Sequence, residues 1–257
     1  MTSSNNSSKN WSEKYYQKIL PNNFLEHLKF LKYFFLENHL VEARNQYKYS
    51  DEHKKFVHIL EAVNYLKVAG NQGQLLPQTY FEFGCHSGRT FIAAVNASNF
   101  LKAKNIDFYA FDSFKGLPST NSKIDGIFKS GTFNTSLNKF NRIVKSKTRT
   151  KLKKENIIEG FYENSLTKEL QIKMPKIGIA HIDVDLYSST IKVLEFITPL
   201  LVPGSVILFD DWYCFPASSD MGERKAFNEF LEKNINFKVE EWKAYSTFGK
   251  SFLITNI

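Results

Sequence analysis

The sequence predicts an α/β protein: a doubly wound, mostly parallel sheet with helices on both faces, a helical preface before it and an antiparallel hairpin after it. Three observations predict this. From residue 79 onward, short apolar runs alternate with amphipathic segments of helical period, the pattern of a parallel sheet covered on both sides. The first run ends in a glycine turn that opens a helix, Phe81-Glu-Phe-Gly-Cys-His-Ser-Gly-Arg-Thr90. At the far end, two strand-like segments follow one another with no helix between them, as antiparallel neighbours do.

Taken in order, residues 1–10 are dominated by Ser and Asn and form an expected flexible tail. Residues 11–75 read as an N-terminal helical cap and 76–257 as the sheet domain, the whole chain making one domain. In the cap, Pro21 suits a first helical turn, and Phe24, Leu25, Leu28, Leu31, Phe34 and Phe35 follow at helical spacing. A second helix is expected from Ser50 as N-cap, through Phe56, Ile59, Leu60, Val63 and Leu66, to a stop at Gly70. Strands are expected at Thr79–Gly84, Asp107–Asp112, Asn156–Gly160, Ile177–Asp183 and Ser205–Asp210. Helices are expected at Gly88–Lys102, Asn134–Val144, Ser165–Gln171, Ser188–Leu200 and Gly222–Lys233, with the closing hairpin from Phe237–Tyr245 and Lys250–Thr255.

Composition excludes several classes. Of 257 residues, 42% are hydrophobic and 23% charged, which is ordinary globular usage and rules out wholesale disorder or collagen-like repeats. No run approaches the ~18 apolar residues of a spanning helix, and the first residues are polar, unlike a secretory leader. The two cysteines, Cys85 and Cys214, have no metal-ligand spacing and are too few for a disulfide framework, so a cytoplasmic protein with free thiols is expected. A formal charge of +8 leaves open nucleic acid, a membrane surface or a phosphorylated substrate as partner. The densest basic run, between Lys145 and Lys154, reads as a solvated loop. The apolar helices before residue 70 offer a surface for a homodimer.

Chemistry concentrates at the strand ends. Gly84 and Gly88 let the backbone pass close to a ligand, and the helix they open presents unpaired N–H groups to an anion. The second strand ends at Asp112, where an acid in such a sheet accepts both hydroxyls of a ribose, so a nucleoside-containing cofactor is implied. The spacing is G-x-x-x-G rather than G-x-G-x-x-G, which disfavours NAD. Two further strand ends, His181-Ile-Asp-Val-Asp-Leu-Tyr187 and Ile207-Leu-Phe-Asp-Asp-Trp212, carry four acids. Neighbouring parallel strands bring Asp183 or Asp185 toward Asp210 and Asp211. Carboxylates so crowded call for a hard divalent cation such as Mg2+ or Ca2+. His181 reads as a core histidine, and His86, inside the glycine turn, as a residue near the cofactor.

In combination FEFGCHSGRT, FYAFDSFKGLP, GFYENSL, HIDVDLYSST and GSVILFDDW, spanning about residues 79–215, resemble the macrocin O-methyltransferase family, S-adenosylmethionine-dependent enzymes that methylate sugar hydroxyls. The resemblance implies a Rossmann-like class I methyltransferase sheet whose cofactor lies against Glu82, Gly84, Cys85, His86, Gly88, Asp112, Ser113, Gly160, Phe161 and Asp183. It implies Mg2+ ligands at Asp183, Asp210 and Asp211, with Asp183 also the catalytic proton acceptor. Val184 departs from the family, several members of which have Gly there. The implied acceptor is a sugar-containing small molecule or glycan, chosen in part by the preface and by the loop from Leu117 to Thr132. A nucleic-acid methyltransferase and a non-catalytic cofactor-binding module are the rival readings.

Overall fold

The computed structural model describes residues 36–73, 76–103, 105–120, 123, 126–215 and 218–257, with side chains from residue 51 onward. The expected tail at 1–10 and the helix from Pro21 lie outside the described residues. Two compact units divide the chain at Ser50/Asp51. Of the first unit, residues 36–50 are described, and they are helical.

Helix α1 runs Leu36–Asn71 without a break, so Ser50 lies inside a helix rather than capping one. The segment from Val41 to Tyr49 contains neither Gly nor Pro, and a Ser without a helix breaker before it has no reason to start a new helix. The second compact unit runs from Asp51 through the sheet to Ile257. Ile59, Ala62, Val63 and Leu66, at i, i+3, i+4 and i+7, are buried in the same core as Tyr80, Ile179 and Val206 of the sheet.

The sheet has seven strands: β1 (Thr79–Phe83), β2 (Asp107–Asp112), β3 (Ile157–Glu159), β4 (Ile179–Ile182), β5 (Val206–Phe209), β6 (Lys238–Tyr245) and β7 (Gly249–Asn256). Their order is β3-β2-β1-β4-β5-β7-β6. The first five pair in parallel, and β7 joins β5 and β6 antiparallel. The expected hairpin is therefore present, but its second strand is the inner one. Burial at every position of β1, β4 and β5 shows why these segments read as unbroken apolar runs: both faces are covered. Tyr80, Ile179, Val206 and Leu208 face α1, α2 (Arg89–Leu101) and α3 (Leu137–Thr148). Phe81, Phe83, Ile182 and Phe209 face α6 (Tyr187–Ile197) and α7 (Gly222–Lys233).

Two helices differ from expectation for local reasons. α3 begins at a Ser136 cap that accepts from Lys139 N and continues to Thr148, into the basic run, because Phe140, Val144 and Thr148 stack one buried stripe. The single helix expected at Ser165–Gln171 is two, α4 (Tyr162–Ser165) and α5 (Lys168–Lys173). Thr167 caps the second, its Oγ1 accepting from Leu170 N at 3.2 Å. Among the described residues no helix is long and apolar enough to cross a membrane.

Candidate active site

The strand registers align four tips. Phe83 pairs with both Phe111 and Ile182, and Ile182 with Phe209, so Gly84, Asp112, Asp183 and Asp210 stand side by side. The backbone ladder continues one residue past the strands: Gly84 N donates to Phe111 O, Asp183 N to Phe83 O, Asp210 N to Ile182 O and Gly160 N to Asp112 O, all at 2.9–3.0 Å. Gly84 is required here. Its φ is 86°, and a Cβ would collide with the carbonyl oxygen of Asp183 on the adjacent strand. The order reverses between β1 and β4, the place where open α/β sheets bind ligands.

A cavity of about 320 Å³ opens at these tips, at the lower end of the range for small-molecule sites. Of the residues expected at a cofactor, Gly84, His86, Asp112, Ser113, Gly160, Phe161 and Asp183 line it, as do Asp185, Asp210 and Asp211. Leu117, Pro118, Phe128 and Phe133 supply an apolar wall from the loop after β2. The ends of that loop are tied by Leu117 N to Thr132 O at 3.0 Å and Gly131 N to Leu117 O at 2.9 Å. Asp112 is fixed by two backbone donors, His86 N to Oδ2 at 2.8 Å and Phe114 N to Oδ1 at 2.7 Å. The acid that ends β2 thus pins the glycine turn, and each oxygen keeps a lone pair for a ligand.

Three expected cofactor residues do not line this cavity. Glu82 is fully buried and accepts from Tyr80 Oη at 2.6 Å and Thr90 Oγ1 at 2.9 Å, so it braces the sheet beneath the turn. Cys85 is buried with its thiol on the Glu82 carbonyl. Gly88, at φ 81°, faces Phe140, where a Cβ would come within 3.0 Å of the ring; its small size lets α3 pack on the turn.

The acids separate into two groups. Asp183, Asp185 and Asp211, all half-buried, bring one carboxylate oxygen each within 4.8 Å of one another. Asp210 stands apart from that triad: Lys55 Nζ lies 2.5 Å from its Oδ2, and His181 Nε2 faces its Oδ1 at 3.7 Å, beyond hydrogen-bond reach. The tight grouping therefore contains Asp185 where the resemblance implied Asp210. Burial raises the carboxyl pKa of Asp183 well above the ordinary range, and Asp210 and Asp211 raise it further. Burial and Asp185 do the same to Asp211, and burial with Asp183 pushes Asp185 up to about 7. Asp210 goes the other way: burial opposes its charge, but His181 and Lys55 outweigh burial and hold it low. His181, disfavoured as a cation by burial, is pushed up to about 10 by Asp210 and Glu82 on either side of it.

The donor set fits a divalent cation. Asp210 Oδ1 and Asp211 Oδ2 are buried without a partner, and three repelling carboxylates offering only oxygen suit a hard ion. Two residues of the site were not found from sequence. Lys55 comes from α1, and Glu223, at the start of α7, accepts from Asp211 N at 2.9 Å. No local pattern marks either one, because their partners are distant in the chain.

Residues 53–245 match the family described as macrocin-O-methyltransferase (TylF). The chain belongs to this family. The match reaches well beyond residues 79–215 on both sides and takes in Lys55, Glu223 and the whole of β6. As a member of the macrocin-O-methyltransferase family the chain is an O-methyltransferase, and the tips of β1, β2, β4 and β5 are its candidate active site. Solved structures agree in fold. The O-methyltransferase NovP superposes with a TM-score of 0.61 at 18% identity, covering 79% of this chain and 80% of that one. The calicheamicin methyltransferase CalS11 gives 0.56 at 19%, covering 77% and 78%. An apo structure of CalS11, described as a TDP-rhamnose 3′-O-methyltransferase, gives 0.51 at 16%, covering 77% and 79%. No curated protein matches the sequence.

Proposed function

We propose that this family member transfers the methyl group of S-adenosylmethionine to a hydroxyl of a sugar, with a divalent cation, Mg2+, held at the acidic tips of β4 and β5. One observation carries the reading: the acid-and-glycine tips of β1 and β2 and the carboxylates of β4 and β5 open into the same cavity. Asp112 would accept the ribose hydroxyls, and Gly160 and Phe161 would border the adenine. Asp183 and Asp211 belong both to the set implied by the resemblance and to the observed triad, so they would hold the cation, with Asp185 and Asp210 beside them. When bound, such an ion supplies positive charge that favours the deprotonated form of a neighbouring hydroxyl.

The chain's own groups do the rest. Asp183 accepts the hydroxyl proton at a carboxylate oxygen, a task suited to a carboxyl whose pKa burial has raised. The sulfur–carbon bond of the donor breaks as the carbon–oxygen bond forms, leaving S-adenosylhomocysteine and a methyl ether. No covalent enzyme intermediate is needed, so the protein contributes chiefly by holding donor and acceptor in line. The wall of Leu117, Pro118, Phe128 and Phe133 keeps water from the reacting atoms. That NovP and CalS11 are named as O-methyltransferases, and CalS11 for a TDP-linked sugar, supports a sugar-containing small molecule or glycan as acceptor. The same reading places the enzyme in the cytoplasm, alone or as a homodimer, without a nucleic-acid partner.

The test is transfer of a labelled methyl group from S-adenosylmethionine to a panel of sugar nucleotides, free sugars and glycans, with Mg2+ or after metal depletion with EDTA. Transfer to a sugar that stops on depletion is expected. Undiminished turnover without metal removes the cation from the reading, and methylation of RNA in place of every sugar removes the acceptor class.

A further inference from the structure

Glu223 has no part in the reaction proposed above, yet it is completely buried beside the acidic tips. Its carboxylate is spent on backbone: Oε2 accepts from Asp211 N at 2.9 Å and Oε1 faces Val184 N at 3.5 Å. These amides belong to the two loops that carry the triad, one between Asp183 and Asp185 and the other next to Asp210. The first loop is sharply turned. Asp185 sits at φ 60°, in the left-handed region that Asp adopts more readily than most residues other than Gly, and Leu186 N folds back to Val184 O at 2.5 Å.

Glu223 lies in the first turn of α7, where the helix dipole favours a negative charge. Its carboxylate reaches across to the sheet tips instead of capping its own helix. That placement adds a carboxylate to a crowded cluster, and the backbone amides it grips account for it.

We infer that Glu223 is a positioning residue, which by bridging the amides of Val184 and Asp211 sets the separation of the two acid-bearing loops and so the affinity of the triad for a divalent cation. This rests on the proposal that the triad holds one. Two acceptor oxygens face two N–H donors; a glutamine would put its NH2 against one of them and open the gap.

The experiment is calorimetric titration of Mn2+ into the wild-type chain, E223Q and E223D, with S-adenosylhomocysteine titrated in parallel and thermal melts recorded. E223Q is expected to bind Mn2+ at least about tenfold more weakly, the scale on which groups supporting a metal's ligands act. Its affinity for S-adenosylhomocysteine should be unchanged and its melt cooperative. E223D, one methylene short of reaching both amides, should also lose affinity, and it decides the matter if E223Q does not melt cooperatively. Wild-type Mn2+ affinity in the folded variant overturns the inference, as does an equal loss for both ligands, which marks general loosening. A wild-type chain that binds no Mn2+ overturns the cation reading itself, so the two failures are told apart by the first titration.

Discussion

The ammonium of Lys55, on helix α1, lies 2.5 Å from Oδ2 of Asp210, at the tip of β5 and 155 residues further along the chain. Burial works against a charged lysine here, but Asp210, Asp183 and Asp211 outweigh it and raise its pKa. Lys55 is thus, with His181, a cation that the acidic tips already possess, and it fastens α1 to the end of the sheet that carries the chemistry.

Replacing Lys55 by Met should destabilise the protein by about 2–3 kcal/mol. Removing one partner of a buried pair costs about 3–5 kcal/mol, and the 22% exposure of the Lys55 side chain lowers that figure. Urea denaturation followed by circular dichroism measures it, and an unshifted midpoint would show that the pair carries no net stability.

Asp183→Asn should leave S-adenosylhomocysteine binding near wild type while lowering kcat by at least about 100-fold, the lower end of what a proton acceptor contributes. Calorimetry and single-turnover methyl transfer check the two halves. Full activity in this variant removes Asp183 from the reaction.

Stability without metal should fall as pH rises. Asp185, with its pKa pushed up to about 7, holds a proton in the folded state between about pH 4 and 7 that the unfolded chain has lost. His181, raised to about 10, does the same from about pH 6.5 upward, so its contribution is present below that pH and is lost through 10. Both groups act in one direction. Melting temperatures in EDTA should therefore drop from pH 5 to pH 9, and added Mg2+ should recover part of the loss at the alkaline end, where the ligands are ionised. A flat profile in EDTA contradicts the crowding of charges described above.

Gly84→Ala should prevent folding or cost more than about 3 kcal/mol, because the new methyl meets the Asp183 carbonyl on a neighbouring strand and the φ of 86° is unfavourable for Ala. Expression as a folded, donor-binding protein would contradict the close approach of β1 and β4.

Much of this architecture was legible because its signals are local. β2 and α7 have the bounds that apolar run and helical period gave them, and the acids of β4 and β5 stand at strand ends, where a parallel sheet must gather them. What escaped depends on tertiary choice. A hairpin satisfies its own pairing whichever strand faces the sheet, so sequence could not say that β7 lies inside β6. Lys55 and Glu223 look like ordinary helix-surface charges until the fold brings α1 and α7 to the acidic tips. Asp185 joins the tight triad, and Asp210 pairs with a lysine from a helix far away in the chain, neither of which strand ends alone reveal.

The inward position of β7 settles what the sheet shows to its surroundings. β7 is largely buried, whereas β6 is mostly exposed and carries Lys238, Glu240, Glu241 and Lys243. At the opposite border β3 is only three residues long. One margin is thus charged and the other too short to template a stranger, so neither invites a second chain to extend the ladder. With the hairpin reversed, the apolar strand would have been the rim, and the same fold would carry a standing hazard of self-association.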